Sequence, residues 1–278
     1  MTLRDVLRQS IERLDSHGIS SPRLAAEVLL AHCLSVDRTY LYTHDEITLT
    51  ESQLQCLEDA IWDRVSGVPV QYIVGKQEFF GRYFHVDPTV LIPRPETEFL
   101  VERVLQLRPP NGAHLIDVGT GSGCIGITLA LELPSTHVTL ADISFDAVRT
   151  ARANSLQLGA ANTSFVCMSL LEAAAGSFDF IASNPPYVSL GETSRLQREV
   201  REHEPHVALF AGHDGLAAYR ILIPQARRLL RPGGHIVMEI GFGLEESVLS
   251  LFDEAWERLP TAPDLQGIPR IVSARLSE

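Results

Sequence analysis

The sequence predicts an α/β fold: a parallel sheet clad in helices, with a small helical domain ahead of it. Three observations carry this. After Gly112, apolar runs of strand length alternate with helical stretches, the pattern of a sheet covered on both faces. The first of these runs leads directly into a glycine-rich turn and then a helix. Before Ser66 the apolar residues recur only at helical spacing.

Taken in order, Leu3, Val6, Leu7, Ile11 and Leu14 share one face of a helix that Thr2 can cap and Gly18 ends. Ser21-Pro22 opens a second helix, since proline suits the first helical position, with Leu24, Val28 and Ala31 as its expected face. Thr50-x-x-Gln53 reads as a capping box, followed by Leu54, Leu57, Ile61 and Val65 up to Gly67. These stripes predict a helical domain over residues 1–67 whose apolar faces form a core and which could dock a substrate. Residues 68–95 turn aromatic, β-branched and rich in Gly and Pro. Gly81-Arg82 between two aromatic pairs suggests a hairpin there, and the segment reads as a linker that becomes part of the next domain's wall. The remaining 96–278 form the main domain. A helix from about Glu96 carries Phe99, Leu100, Val104 and Leu107, and Pro109-Pro110-Asn111-Gly112 stops it. Strands are then expected at HLIDVG, HVTLAD, TSFVC, FDFIASN, GHIVMEI and IPRIVSARL. Helices are expected at Cys124 to Leu133, at Ser144 to Leu158, and around Leu222, Ala226, Leu229 and Leu230.

Composition narrows the function. With 278 residues and 45% hydrophobic content, the chain can bury a sizeable core. A formal net charge of −12 argues against a surface built to hold a nucleic-acid backbone. It suits a small-molecule site or a basic protein partner. The N-terminus has no apolar signal core and no run is long enough to span a membrane, so a cytoplasmic protein is expected. Cys33, Cys56, Cys124 and Cys167 are far apart and form no C-x-x-C pair, so they are read as reduced thiols. His203 and His206 lie near Glu204 without a metal-ligand set, and no metal is expected.

The chemistry begins at Leu115-Ile116-Asp117-Val118-Gly119-Thr120-Gly121-Ser122-Gly123. Glycines let a backbone turn sharply and let a ligand lie against it, facing the start of the next helix. Asp142 ends the following strand, where a carboxylate can hold both hydroxyls of a ribose. Gly119, Thr120, Gly121, Ser122, Gly123 and Asp142 are thus candidate cofactor residues. The loop alone leaves NAD open, because Gly126 also supplies a G-x-x-G spacing.

Ser183-Asn184-Pro185-Pro186-Tyr187 follows the strand FDFIA. It resembles the N-P-P-Y signature of amino methyltransferases that use S-adenosylmethionine. Ligands of such sheets sit beyond the carboxyl ends of the strands, so this loop and the glycine loop would share a cleft. An amide nitrogen is a poor nucleophile, since its lone pair is delocalised into the carbonyl, and must be held in line with the methyl. Asn184 can accept one N–H through its side-chain oxygen, and a proline-fixed backbone carbonyl can accept the other. Tyr187 can pack on the planar amide. Asn184, Pro185 and Tyr187 are the candidate catalytic residues; these three with Pro186 are the candidate substrate contacts.

Over the whole chain the sequence resembles the peptide chain release factor glutamine methyltransferase family. VLIPRPETE (Val90 to Glu98), LIDVGTGSGCIGITLA, SNPPY, EPHVALFAGHDGL (Glu204 to Leu216) and the terminal DLQGIPRIV carry the resemblance in order. It implies a Rossmann-like class I methyltransferase sheet with a helical N-terminal domain. It further implies S-adenosylmethionine as cofactor, released as S-adenosylhomocysteine, and methylation of the glutamine in the Gly-Gly-Gln loop of release factors. It also implies an acidic residue after the third strand, facing adenine. Here Met168 is taken to stand at that place, so Ser169 or a backbone carbonyl is expected to meet the adenine amino group. Asn184 is expected to touch the cofactor as well. Arg94 and Glu96 are expected either to pair and shape the cleft or to contact substrate. Phe99 is read as helix burial before cofactor lining, and Glu204 and Pro205 as ordering the segment after the N-P-P-Y loop. Three other readings stay open: a glutamine methyltransferase of a ribosomal protein, a nucleic-acid adenine methyltransferase that flips its base, and a non-catalytic binding module on the same fold.

Overall fold

The computed structural model describes residues 1–278 and separates into two compact units. The first is Met1–Lys76 with Gln197–His203. It holds α1 (Leu3–Ser16), α2 (Pro22–Leu34), α3 (Arg38–Thr43), α4 (Glu51–Val65) and α5 (Val70–Val74), together with the short helix Arg198–His203. The Thr2 hydroxyl accepts the Asp5 N–H at the start of α1. The box before α4 is formed in both directions, Thr50 Oγ1 accepting the Gln53 N–H and Gln53 Oε1 accepting the Thr50 N–H. The core of this unit includes Leu3, Leu14, Leu29, Leu30, Leu41 and Ile61.

Three expectations need correction here. The buried face of α2 is Ala25, Ala26, Leu29, Leu30 and Ala31, while Leu24 lies exposed; small alanines let α1 and α4 approach α2, and the bulkier Leu24 is turned out. Residues 70–74, read as part of a β-rich linker, form the helix α5. Cys33 and Cys56, read as thiols, are disulfide-bonded. They come from α2 and α4, which pack together and bring the two Cα atoms to 5.8 Å, within bridging range.

The second unit is Gln77–Leu196 with Glu204–Glu278. A hairpin of β1 (Lys76–Phe79) and β2 (Arg82–His85) turns at Phe80 and Gly81, one residue earlier than the sequence suggested. Both turn residues have positive φ, 51° and 71°, as a two-residue hairpin of this twist requires. The Phe80 N–H is held by Glu98 Oε1 at 2.8 Å. Next come α6 (Glu98–Gln106), β3 (His114–Val118), α7 (Cys124–Glu132), β4 (His137–Asp142), α8 (Phe145–Leu158), β5 (Thr163–Cys167) and β6 (Phe178–Ser183). After α9, the Arg198–His203 helix already placed, follow α10 (His206–Leu209), α11 (Ala217–Leu229), β7 (Leu230–Glu239), α12 (Glu245–Leu249), β8 (Trp256–Arg258), β9 (Ala262–Pro263) and β10 (Pro269–Leu276).

The sheet runs β5-β4-β3-β6-β7-β10-β8, with β9 paired to β10. Its first five strands are parallel, but β10 runs antiparallel to β7 and β8, so the sheet is mixed where the sequence suggested a parallel one. Strand order reverses between β3 and β6, the place where open α/β sheets bind ligands. In the β3–β6 register Val118 lies opposite Ser183, so the chain leaves both strands side by side at Gly119 and Asn184. Two apolar clusters make the core. One includes Tyr219, Leu222, Met238 and Val272; the other includes Phe84, Leu100, Ile127 and Leu140.

Candidate active site

The glycine loop takes its shape from backbone that other residues resist. Gly119, Gly121 and Gly123 have φ of 72°, 54° and 85°, in the left-handed region that favours glycine. The Gly119 and Thr120 N–H groups both donate to Ala141 O, at 2.8 and 3.0 Å, folding the loop back over the end of β4. Gly123 caps α7, and a Cβ there would stand 2.5 Å from Ile127 Cδ1. At Gly121 the same test meets no atom within 4 Å, and Gly121 lines the cleft. The open side of that residue is where a ligand can lie against bare backbone.

Asp142 holds the loop from the β4 side. Its Oδ2 accepts the Gly121 N–H and its Oδ1 the Ser144 N–H, each at 2.9 Å. An ionised carboxylate offers about four lone-pair positions, so acceptor capacity remains beyond these amides for a ligand hydroxyl. Burial pushes the Asp142 pKa up, against the pull of the Ser144, Gly121 and Ile143 amides. Behind the loop, fully buried Asp117 accepts the Thr120 hydroxyl at 2.6 Å and the Gly126 N–H at 2.9 Å, both on Oδ2. Its Oδ1 has no partner, and burial pushes its pKa up to about 7.

The cleft above these groups has a volume of ≈ 220 Å³. Gly119, Gly121, Asp142, Ser169, Asn184 and Pro186 line it, together with Ile143, Ser144 and Leu170, with Thr89–Leu91, and with Pro205, Val207 and Ala208. Ile143, directly after Asp142, is 56% exposed, an apolar surface on which a flat ring can rest. A glycine cradle, a carboxylate with spare acceptor positions and an apolar shelf fit a nucleoside attached to a polar tail.

The other candidate residues lie behind this lining. Thr120 and Ser122 are buried; the first is tied to Asp117, and the backbone oxygen of the second accepts from Asn154 Nδ2 at 2.8 Å. Pro185 is buried and Gly123 packs into the start of α7. Tyr187 directs its hydroxyl at Glu239 Oε1, 3.4 Å away, and its ring fills the space that a Cβ at Gly241 would enter. Burial raises the phenol pKa far above the ordinary range, so Tyr187 is a donor.

Asn184 lines the cleft and is held from behind. Its Nδ2 donates to Thr97 Oγ1 at 3.2 Å, and Thr97 donates to Glu239 Oε2 at 2.6 Å. Glu239 is 2% exposed, and burial pushes its pKa up to about 7.

One expectation about this site is overturned, and one branch of another is removed. The Met168 side chain is 7% exposed and belongs to the apolar core, because its N–H donates to Asp142 O and turns the side chain away from the cleft. Ser169, one residue later, is the position that faces the cleft. Arg94 pairs with Glu204 at 2.5 Å and not with Glu96. Glu204, 3% exposed, also accepts the Ile92 N–H, so this pair fastens the cleft wall that begins at Pro205. Phe99, on α6, packs partly buried against a core cluster. The sequence reading did not single out Thr97, Glu239, Ile143 or Leu170. Thr97 and Glu239 sit inside the quoted segments VLIPRPETE and GHIVMEI, but no spacing links them.

The comparisons with known proteins bear on this arrangement. The family model described as PrmC N-terminal domain matches residues 5–75, and that described as Methyltransferase small domain matches residues 95–202. A release factor glutamine methyltransferase of Koribacter versatilis (strain Ellin345) is 45% identical over 278 residues, covering 99% of each chain. Another, of Bradyrhizobium diazoefficiens, is 40% identical over 282 residues, covering 99% of this chain and 95% of that protein. The chain belongs to the release factor glutamine methyltransferase family. It is therefore an S-adenosylmethionine-dependent enzyme, and the glycine loop, Asp142 and Asn184 fall within the residues matched to the methyltransferase model. Solved structures agree on the fold. A methyltransferase from Pyrococcus furiosus superposes with a TM-score of 0.53 at 18% identity, over 72% of this chain and 91% of that one. A ribosomal protein L11 methylase from Lactobacillus delbrueckii subsp. bulgaricus gives 0.52 at 19%, over 73% and 89%. No helix is long and apolar enough to cross a membrane.

Proposed function

We propose that this family member methylates the side-chain amide nitrogen of the glutamine in the Gly-Gly-Gln loop of peptide chain release factors, in the cytoplasm. The observation that carries the reading is Asn184 in the cleft lining with its Nδ2 already engaged by Thr97. Its Oδ1 is thereby left to accept an N–H from a substrate amide. Gly119, Gly121, Asp142 and Ser169 would hold S-adenosylmethionine, with Thr120, Ser122 and Gly123 shaping the loop behind them. When bound, S-adenosylmethionine supplies an electrophilic methyl group. Asn184 and the Pro185 carbonyl accept the two N–H groups of the glutamine amide, which orients the nitrogen and favours the positive charge that grows on it. Pro186 lines the approach, and Tyr187 braces the loop from below through Glu239. The helical residues 1–67 are assigned to docking the release factor, and 96–278 to transfer. A formal charge of −12 supports a protein substrate over a nucleic-acid one.

The test is mass spectrometry of a purified release factor after incubation with the enzyme and S-adenosylmethionine. The expected result is a gain of one methyl mapped to that glutamine. Asn184→Ala should change cofactor binding little and lose roughly 10²–10³ in single-turnover rate. Asn184→Asp keeps an acceptor and should retain more activity than Ala. An unmodified glutamine, or an Asn184→Ala enzyme as fast as the parent, overturns the reading.

A further inference from the structure

We infer that Glu239 and Thr97 are positioning residues that decide which end of the Asn184 amide faces the methyl-accepting nitrogen. The inference rests on the substrate reading just given, and it follows from counting protons along one line of atoms.

Glu239 ends β7, and Thr97 precedes α6; both are 2% exposed. A carboxylate has lone pairs and no proton, so the Thr97 hydroxyl must donate its single proton to Oε2 at 2.6 Å. Thr97 Oγ1 then presents only lone pairs toward Asn184. The Asn184 group 3.2 Å away must therefore be the NH₂ end. Oδ1 is the end left for the substrate. A hydroxyl without the carboxylate could donate or accept equally well, and the amide would be free to flip. The flipped amide would set its own N–H groups against those of the glutamine. An acceptor-only group at the far end of the line removes that alternative.

The same logic makes the orientation depend on pH. If Glu239 gains a proton it can donate to Thr97, and Thr97 can then donate to Asn184, which admits the flipped amide. Burial, and the Glu96 charge beside Thr97, favour that proton; the Arg270 charge on β10 and the donors Thr97 and Tyr187 oppose it. Tyr219 on α11 donates to the Glu239 backbone oxygen at 2.8 Å, and Cys124 on α7 feels the carboxylate's charge. Its pKa is pushed up to about 7, inside the pH interval scanned below. Asp117 is pushed to a similar value, so a variant is needed to assign the titration.

The experiment uses Thr97→Val, which keeps the shape and removes the hydroxyl, Thr97→Ser, which restores it, and Glu239→Gln. The first readout is the side-chain amide ¹H–¹⁵N signal of Asn184 in protein labelled at asparagine. Asn111, Asn154, Asn162 and Asn184 are all the asparagines present, which makes assignment direct. The second is single-turnover methylation of a release factor under saturating S-adenosylmethionine, from about pH 6 to about pH 9. Thr97→Val should move the Asn184 signal and slow transfer roughly tenfold, the weight of one hydrogen bond, with cofactor affinity unchanged. Thr97→Ser should recover both. The parent rate should rise through about pH 7, and that inflection should vanish in Glu239→Gln. An unmoved Asn184 signal in folded Thr97→Val, or an inflection that survives in Glu239→Gln, overturns the inference. If the signal moves as expected but no release factor is methylated by the parent, the substrate reading fails and the positioning stands.

Discussion

Asp142 serves two partners at once, and that sets what its removal should do. Its carboxylate holds the Gly121 and Ser144 amides and, in the proposed cofactor site, would also accept from a ribose hydroxyl. Charge-assisted hydrogen bonds contribute on the order of 1.5–3 kcal/mol, so Asp142→Ala should weaken S-adenosylmethionine binding roughly tenfold or more. Calorimetric titration checks this, and a folded variant with parental affinity would reject the ribose assignment. Asp142, Gly119, Gly121 and Asn184 were readable in the sequence because each lies at a strand end within a short motif. Thr97 and Glu239 were not. Their contact spans 142 positions and depends on how α6 packs over β7. Met168 shows the opposite error, in which a motif was read one residue out of step. As Met168 lies in the core, Met168→Asp should bury an unpaired carboxyl and destabilise the fold by a few kcal/mol. Ser169→Asp, which places the acid in the cleft, should fold normally and bind the cofactor at least as tightly as the parent. Thermal melts with calorimetry separate the two, and a stable, tight-binding Met168→Asp would restore the original placement.

At the level of elements, periodicity found the strands of the sheet's parallel part and the helices around them, since each is long and regularly apolar. It missed β8 and β9, which are 3 and 2 residues long, too short for any period to register. The Cys33–Cys56 bridge was equally hidden, because 23 residues separate the two and only the packing of α2 on α4 joins them. Gly126 shows where packing should override propensity. It sits inside α7, where alanine is favoured over glycine by roughly 0.8–1.0 kcal/mol. Yet a Cβ there would stand 2.8 Å from Leu140 Cγ and 3.0 Å from Asp117 Cβ, so α7 lies hard against β3 and β4. Overpacking costs about 1–3 kcal/mol, and both neighbours are buried and unable to yield. Gly126→Ala should therefore lose about 1 kcal/mol or more of stability despite the better helix former. Its Asp117 contact should also be disturbed. Urea denaturation decides the matter, and a gain in stability would show that the helix–sheet spacing relaxes freely.

For the molecule as a whole, the buried carboxylates tie stability to pH in a direction opposite to the usual one. Burial lifts Glu239 from 4.5 to about 7. The folded chain thus binds this proton more tightly than the unfolded chain, and linkage makes stability fall as pH rises between the two values. The contribution is fully present below about pH 4 and is lost as pH passes through about 7. The shift, about 7 less 4.5, corresponds to on the order of 3 kcal/mol at roughly 1.36 kcal/mol per unit. Other terms move with pH as well: Asp117 is raised for the same reason, and a chain with a formal charge of −12 repels itself more as its acids ionise. All of these are common to parent and Glu239→Gln, so they cancel in the difference between the two. Glutamine fills the same space and carries no charge to desolvate, though it weakens the bond to Thr97 by a pH-independent amount. The melting temperature of Glu239→Gln relative to the parent should therefore climb between about pH 5 and about pH 8, whatever its offset at the acid end. Parallel melting curves across that interval would mean that Glu239 ionises in the folded protein as it does in water, and that the carboxylate pays no desolvation penalty for holding Thr97.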